Sequence, residues 1–203
     1  MVGLGNPGRR YAATRHNVGF MTADALAARG QVRCDRGQFG ALMDAARVGD
    51  VPAVLAKPQS YMNRSGAPTA SLKGYYKVPM DQVVVVHDEI DLPFGTVRVK
   101  VGGGHGGHNG IRDVIRALGG PDFVRVRVGV SRPPPGWEVA DYVLSSWSPA
   151  ELEVLEEVVG AAADAVESVV KGGATAAMNT VNAVESVIRQ DDPSVAGGAE
   201  DSN

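Results

Sequence analysis

Four consecutive valines, at positions 83 to 86, constrain the fold more than any other feature of this chain. An uninterrupted run of β-branched residues is typical of a strand that is covered on both faces, because a strand with one solvated face alternates apolar and polar residues. Strands of this kind lie at the centre of sheets that carry helices on both sides. The run therefore predicts an α/β fold, and His87 and Asp88 are expected just past the end of its strand.

The other patterns place strands and helices in alternation around this central strand. Strands are predicted at residues 2–4, 39–48, 51–56, 96–101 and 124–130, and helices at 18–30, 67–76, 111–118 and 149–189, the last with a break at Gly172 and Gly173. Gly49 and Asp50 form a turn, so the flanking strands should pair as an antiparallel hairpin. We expect a single domain over residues 1–190, with a central mixed β-sheet flanked by helices on both faces. The polar residues 191–203 cannot bury enough apolar surface to fold, so they are predicted to be a disordered tail.

Charge is distributed unevenly along the 203 residues. Residues 1–132 carry a net charge of +8, whereas residues 133–203 carry a net charge of −11. A basic half is typical of a surface that binds nucleic acid, although the same residues can also scatter over a folded surface. The sequence has neither an apolar run near the roughly 18 residues that span a bilayer nor a recognisable signal peptide. We therefore expect a cytoplasmic protein with no membrane partner.

Two glycine-rich segments are candidates for ligand binding. GLGNPG at residues 3–8 lacks the third glycine of a dinucleotide-binding fingerprint, and GGGHGGHNG at residues 102–110 lacks the lysine and hydroxyl residue of a phosphate-binding Walker loop. Six glycines within nine residues lose much conformational entropy on folding. Because of this cost, we interpret the segment as a loop whose backbone closely approaches a ligand, and not as a plain flexible connection.

Titratable residues near the valine strand indicate either acid–base chemistry or a metal site. Asp88 can orient an imidazole from the carboxyl end of its strand, where α/β proteins bind their ligands. Glu89 and Asp91 leave a metal site as the alternative, but no spacing matches a known ligand signature, so we expect no metal. His16, taken alone, is typical of a surface histidine. Cys34 lies among charged neighbours, which favours an ordinary solvated thiol over a nucleophile.

Three asparagines lie in predicted loops at the ends of secondary-structure elements. An amide side chain both donates and accepts hydrogen bonds, so Asn6, Asn63 and Asn109 together can orient a neutral polar group such as an ester or a peptide. A fourth, Asn17, stands directly before a helix and is predicted to cap it. The three loop asparagines are therefore candidate substrate-binding residues.

Five motifs occur in an order and spacing that resemble bacterial peptidyl-tRNA hydrolases. They are GLGNPG at residues 3–8, YAATRHNVGF at 11–20, KPQSYMNRSG at 57–66, HDEIDLPFG at 87–95 and GGGHGGHNG at 102–110. The resemblance covers the first 132 residues, and the later helices are compatible with it to about residue 189. It implies a monomeric enzyme that needs no metal or cofactor. The implied reaction is hydrolysis of the ester that joins a peptide to the terminal ribose of tRNA.

The resemblance also implies roles for individual residues. His16 is implied as the general base, Asp88 as the residue that orients it, and Asn109 as a catalytic residue that holds the attacking water or the developing oxyanion. Substrate contacts are implied for Asn6, Tyr11, Tyr61, Met62, Asn63, His108 and Asn109, and contacts to tRNA phosphates for Lys100 and Arg127. A noncatalytic RNA-binding protein on the same fold is the alternative, and a phosphate-binding enzyme that uses the glycine loop is a third possibility.

The chain departs from the family's pattern in three places. The family usually has several more apolar residues before GLGNPG, whereas Met1 stands two residues before Gly3, so we expect a longer native amino terminus. Residues 133–138, PPPGWE, lack a lysine that some members carry, which removes one implied RNA contact. The tail beyond residue 191 has no counterpart, so we expect it to be dispensable.

Overall fold

The computed structural model describes residues 1–188 of the chain. These residues form one seven-stranded sheet with helices packed on it. Its strands are β1 (Val2–Gly3), β2 (Arg36–Gln38), β3 (Ala41–Val48), β4 (Val51–Pro58), β5 (Val84–Glu89), β6 (Val97–Val101) and β7 (Val124–Gly129), in the spatial order β2-β3-β4-β1-β5-β7-β6. The predicted tail at residues 191–203 and the predicted domain boundary at residue 190 lie outside the described residues.

The sheet is parallel at its centre and antiparallel towards its edges. β1 pairs in parallel with β4 and β5, and β5 pairs in parallel with β7. The β3–β4 hairpin turns at Gly49 and Asp50, as predicted, and β6 pairs antiparallel with β7. β5 thus has a neighbour on each side, and residues 84–86 are almost fully buried. This confirms the prediction of a mixed sheet around the valine strand.

Helices cover both faces of the sheet, which confirms the predicted architecture. The helices are α1 (Val18–Arg29), α2 (Gly66–Tyr75), α3 (Asn109–Leu118), α4 (Val139–Val143) and α5 (Pro149–Val181). Val84 and Val86 belong to a core that also contains residues of α1 and α5, whereas Val83 and Val85 belong to a second core with residues of α2 and α3. Within residues 1–188, no helix is both long and apolar enough to cross a membrane.

The last helix is shorter than predicted. α5 ends at Val181 rather than continuing to residue 189, because the side chain of Asn182 exchanges two hydrogen bonds with the backbone of Val99, at 2.7 and 2.9 Å. The predicted break within this helix is confirmed at Gly173, whose φ of 80° is not helical. Tertiary hydrogen bonds therefore override helix propensity at the end of α5.

Three further features differ from the sequence prediction. The edge strand β2 and the five-residue α4 were not predicted, because both are too short to show a periodic pattern. β5 continues to Glu89, so His87 and Asp88 lie within the strand and not after it. Cys34 is buried, its Sγ lies 3.2 Å from the carbonyl oxygen of Leu55, and burial raises its pKa to about 11. A thiolate at Cys34 is therefore disfavoured, which argues against a nucleophilic role.

The parallel strands bring several loops to one edge of the sheet. The carboxyl ends of β1, β4, β5 and β7 all lie at this edge, because these four neighbouring strands run in the same direction. The segments that follow them carry residues 5–8, 59–65, 90–95 and 130–138. Such an edge is where open α/β sheets bind ligands.

Gly19 allows α1 to pack closely against the sheet. A Cβ atom at this position would lie 2.5 Å from backbone atoms of Leu4 and Val86, which no side-chain movement can relieve. We expect Gly19→Ala to lower the free energy of unfolding by about 3 kcal/mol in urea denaturation. Gly74→Ala is the control, since Gly74 lies in α2 with open space around it, and we expect it to raise stability by roughly 0.5–1 kcal/mol. Equal stabilities of the two variants would contradict this packing.

Candidate active site

A cleft of about 510 Å³ opens at the carboxyl edge of the sheet. The predicted site residues that line it are Asn6, His16, Tyr61, Met62, Asn63, Asp88, His108 and Asn109. One wall is apolar and comes from α4 and the residue after it, through Val139, Ala140, Val143 and Leu144. Tyr11 does not line the cleft, and its ring lies edge-on to that of Tyr61, with centroids 6.4 Å apart. The fold thus gathers residues from six separate segments of the chain around one cavity.

Asp88 lies between two imidazole rings at the base of this cleft. His16 Nδ1 is 2.9 Å from each carboxylate oxygen, and His108 Nε2 is 2.9 Å from Oδ1. Burial of Asp88 opposes its ionisation, but the two imidazoles outweigh this effect and hold its pKa well below the ordinary value. The carboxylate is therefore ionised, and it retains a proton on Nδ1 of His16. Nε2 of His16 is then the nitrogen that can accept a proton.

The environment of His16 favours proton acceptance. Only 13% of its side chain is exposed, so it is not the surface histidine that its sequence context suggests. Burial lowers the pKa of His16, while the charge of Asp88 and the hydrogen bond to it raise the pKa, and the net effect is a pKa above the ordinary value. A positioned imidazole of increased basicity is suited to remove a proton from water.

Arg15 fixes the segment that carries His16 to the start of α5. Its buried guanidinium donates to the hydroxyl of Ser145 and the carbonyl of Ser146, at 2.7 Å each, and pairs with Glu151 at 2.5 Å. Glu151 also caps α5 through a reciprocal pair of hydrogen bonds with Ser148. Sequence analysis missed this role because the partners are 130 or more positions from Arg15.

Asn17 holds the loop that carries Asn6. Its side chain accepts a hydrogen bond from the backbone N–H of Asn6 at 2.8 Å and donates to the carbonyl of Asn6 at 2.9 Å. The prediction that Asn17 caps α1 is wrong, because the cap position has no side-chain hydrogen bond and the amide is used on Asn6 instead. Asn6 Oδ1 in turn accepts from the backbone N–H of Met62 at 2.7 Å. Asn17 therefore supports both loops that line this side of the cleft.

Asn63 and Asn109 present amides to the cleft. Both residues are exposed, and neither side chain has a hydrogen-bond partner among residues 1–188. Asn63 lies in the short helical turn Met62–Arg64, and Asn109 is the first residue of α3. These two amides are therefore available to hydrogen-bond a ligand.

The hydrogen bonds of His108 bear on the metal alternative. Its Nδ1 accepts from the backbone N–H groups of Gly110 and Ile111, at 3.1 and 3.2 Å, at the start of α3. An accepting Nδ1 has no proton, so the ring proton is on Nε2, which donates to Asp88. One ligand atom from each of His16, Asp88 and His108 lies within 4.8 Å of the others, but a protonated Nε2 has no lone pair for a cation. This donor set favours proton transfer over metal binding.

A second cleft, of about 300 Å³, shares Glu89 and Gly106 with the first. Its lining includes both predicted phosphate-binding residues, Lys100 and Arg127. Lys100 is exposed, whereas Arg127 donates twice to Glu89, at 2.9 and 3.0 Å. The lining carries three cationic side chains, Lys100, Arg125 and Arg127, against two carboxylates, Glu89 and Asp91, and this small positive excess suits an anionic ligand.

Arg125, a residue of β7, is buried. Its guanidinium donates to the carbonyls of Gly103 and Gly104, at 2.6 Å each, and so anchors the glycine-rich loop that leads to His108 and Asn109. The alternating pattern of β7 does not reveal this burial, because it depends on the path of a distant loop.

The comparison with known proteins identifies the family. The model of the family described as peptidyl-tRNA hydrolase matches residues 1–190. The chain belongs to the peptidyl-tRNA hydrolase family. This confirms the resemblance that the five motifs indicated.

Individual members of the peptidyl-tRNA hydrolase family match nearly the whole chain. The peptidyl-tRNA hydrolase of Leifsonia xyli subsp. xyli is 50% identical over 181 residues, which are 88% of this chain and 94% of that protein. The peptidyl-tRNA hydrolase of Nocardia farcinica is 48% identical over 183 residues, with coverages of 90% and 95%. The crystal structure of peptidyl-tRNA hydrolase from Acinetobacter baumannii has a TM-score of 0.85 at 34% identity and covers 92% of this chain and 95% of its own. The family's fold therefore extends over almost all of this protein.

The role of Asn17 is testable with a matched control. The control is Asn182, whose side chain also exchanges two hydrogen bonds with the backbone of one residue, Val99. Neither Asn182 nor Val99 lines the cleft. We expect Asn17→Ala and Asn182→Ala each to lower the free energy of unfolding by about 1–3 kcal/mol. Only Asn17→Ala should also lower kcat/KM on N-acetyl-aminoacyl-tRNA, by about tenfold or more, because it releases Asn6. Equal activity of the two folded variants would show that Asn17 acts on stability alone.

Proposed function

We propose that this protein hydrolyses the ester bond between the peptide and the terminal ribose of peptidyl-tRNA, which releases free tRNA and peptide for recycling. The observation that carries this proposal is the His16–Asp88 pair, at 2.9 Å, in a cleft lined by amide side chains. Membership of the peptidyl-tRNA hydrolase family supports the choice of substrate. The His16–Asp88 pair favours catalysis over the noncatalytic RNA-binding alternative, since binding alone does not require an oriented base.

His16 is the general base in the proposed reaction. Its Nε2 takes a proton from a water molecule, and the resulting hydroxide attacks the carbonyl carbon of the ester. The charge of Asp88 stabilises the imidazolium that forms. The tetrahedral intermediate then breaks its bond to the ribose oxygen, which leaves with the proton returned by His16. The balanced products are a free carboxylic acid on the peptide and a free hydroxyl on the ribose.

The amides of the cleft position the substrate and stabilise charge. Because Asn6 Oδ1 is engaged by Met62, its Nδ2 is the group that can donate to the ester or peptide. Asn63 contacts the substrate, and Asn109 holds the attacking water or donates to the oxyanion of the intermediate. Tyr61 and Met62 line the same cleft as the apolar α4 wall, and in this proposal these residues contact the peptide part of the substrate.

Two of the predicted substrate-binding residues, Tyr11 and His108, differ from the amides in how they can contact the substrate. Tyr11 does not line the cleft, so in this proposal it acts on the substrate through Tyr61, whose ring it contacts edge-on. His108 has both ring nitrogens engaged within the protein, so it offers the substrate its ring surface and not a hydrogen bond.

The second cleft holds the phosphates of the tRNA in this proposal. Lys100 and Arg127 contribute the positive charge, and phosphate binding competes with Glu89 for Arg127.

We further propose that the enzyme acts as a monomer in the cytoplasm and needs no cofactor. Light scattering of the purified protein tests the monomer, and an assay in chelator tests the independence from metals.

His16→Ala tests the chemistry of the site directly. We expect it to lower kcat on N-acetyl-aminoacyl-tRNA by about two to four orders of magnitude, the usual contribution of a positioned base, with tRNA affinity nearly unchanged. Loss of the ester is followed in the presence of chelator, and unblocked aminoacyl-tRNA serves as the substrate control. A His16→Ala enzyme with normal turnover would refute the assignment of the base.

Lys100→Ala tests the phosphate contacts. We expect weaker tRNA binding. The slope of log Kd against the logarithm of the salt concentration should also fall by about one, because each phosphate contact releases counterions. Lys73→Ala is the control, since Lys73 is a basic residue of α2 that lines neither the active-site cleft nor the basic cleft. An unchanged salt dependence in Lys100→Ala would remove this residue from the tRNA interface.

A further inference from the structure

His108 has both of its ring nitrogens committed inside the protein. Nδ1 accepts from two backbone N–H groups at the start of α3, and Nε2 donates to Oδ1 of Asp88 at 2.9 Å. The side chain is only 9% exposed, and its ring packs against the rings of His16 and His87, with centroids 5.1 and 4.8 Å away. This arrangement fits a residue that acts on Asp88 better than one that hydrogen-bonds substrate.

Asp88 Oδ1 is shared by the two imidazoles. His16 Nδ1 and His108 Nε2 each lie 2.9 Å from this oxygen. A hydrogen bond to a carboxylate stabilises its negative charge and weakens its attraction for other cations and donors. The more strongly His108 binds Asp88, the less Asp88 stabilises a proton on His16.

We propose that His108 is a positioning residue that sets the basicity of His16 by sharing the carboxylate of Asp88. The inference rests on the proposed function, in which His16 is the base. Without His108, the full charge of Asp88 would act on His16, and His16 would stay protonated to higher pH. An imidazole that is already protonated cannot remove a proton from water.

The start of α3 keeps His108 in the form that this role needs. Two backbone N–H groups point at Nδ1, so protonation of Nδ1 would remove both hydrogen bonds and place a donor against donors. A second positive ring would also lie beside a protonated His16, at a centroid distance of 5.1 Å. The backbone of α3 therefore directs the Nε2–H of His108 at Asp88 as a hydrogen-bond donor.

The other titratable and charged groups around this cluster have hydrogen-bond partners other than the carboxylate of Asp88. His87 donates from Nδ1 to the backbone carbonyl of Asp88 at 2.7 Å, and burial holds its pKa well below the ordinary value, so it is neutral. Glu89, next to Asp88 in β5, is paired with Arg127. Arg15, next to His16, is paired with Glu151 and is separate from the Asp88 hydrogen bonds. Arg125 is held by carbonyls of the glycine-rich loop.

Two substitutions separate the two bonds of His108. In His108→Asn, the amide oxygen can take the place of Nδ1 and still cap α3, but the side chain is too short to reach Asp88. In His108→Gln, the amide nitrogen can take the place of Nε2 and donate to Asp88, but the cap is lost. The free energy of unfolding in urea reports the cap, and the protonation of His16 reports the bond to Asp88.

The experiment is an NMR titration of ¹⁵N-labelled histidine in the wild-type protein and both variants. We expect His108→Asn to move the midpoint of the His16 titration upward by about half a pH unit, because the carboxylate of Asp88 then loses one of its two hydrogen-bond donors and interacts more strongly with His16. His108→Gln should return the midpoint towards the wild-type value despite lower stability. The acidic limb of kcat/KM should follow the same order.

Two results would overturn the inference. One is a wild-type spectrum in which His108 carries its proton on Nδ1, and the other is a His16 midpoint that is equal in wild type and His108→Asn. The titration does not depend on turnover, so a protein that showed the expected midpoints but no hydrolysis would refute the proposed function and leave the link between His108 and His16 intact.

Discussion

The buried carboxylate of Asp88 is the interaction on which the site depends. A charge that is removed from water must be compensated by partners of good geometry, and Asp88 has two, His16 and His108, at 2.9 Å each. The two partners belong to different segments, a helical turn before α1 and the cap of α3, so the carboxylate draws both segments to the end of β5. The same contacts that stabilise the charge therefore assemble the groups that we propose as catalytic.

The sheet determines where this charge lies. β5 is covered on both faces by valine-rich cores, and its end opens into the cleft where the parallel strands terminate. The apolar surroundings strengthen the electrostatic attraction between Asp88 and its partners, because little water is present to screen it. The valine strand thus contributes to both the stability of the fold and the electrostatic environment of His16.

Sequence patterns predicted those parts of the protein that depend on local interactions. The valine strand, the hairpin at Gly49 and Asp50, and the break at Gly173 follow from burial pattern, turn chemistry and glycine conformation, and all three were confirmed. Most of the residues that the motifs indicated line one cleft, and their chemical roles stay predictions. What the sequence could not indicate are contacts between distant segments, such as Arg15 with Glu151, which are 136 positions apart. For the same reason Asn17, read locally as a helix cap, proved to hold Asn6.

The glycine-rich loop has a mechanical consequence for a long substrate. Its backbone takes positive φ at Gly102, Gly103, Gly106 and Gly107, a conformation that side chains rarely allow, and Arg125 holds it by two carbonyls. Gly106 lines both clefts, so the loop is their common wall. Because the loop separates the two clefts, a movement of the loop that widens one cleft narrows the other. In the proposed binding mode, the reactive end of the tRNA and its phosphates contact the same short stretch of backbone, one from each cleft.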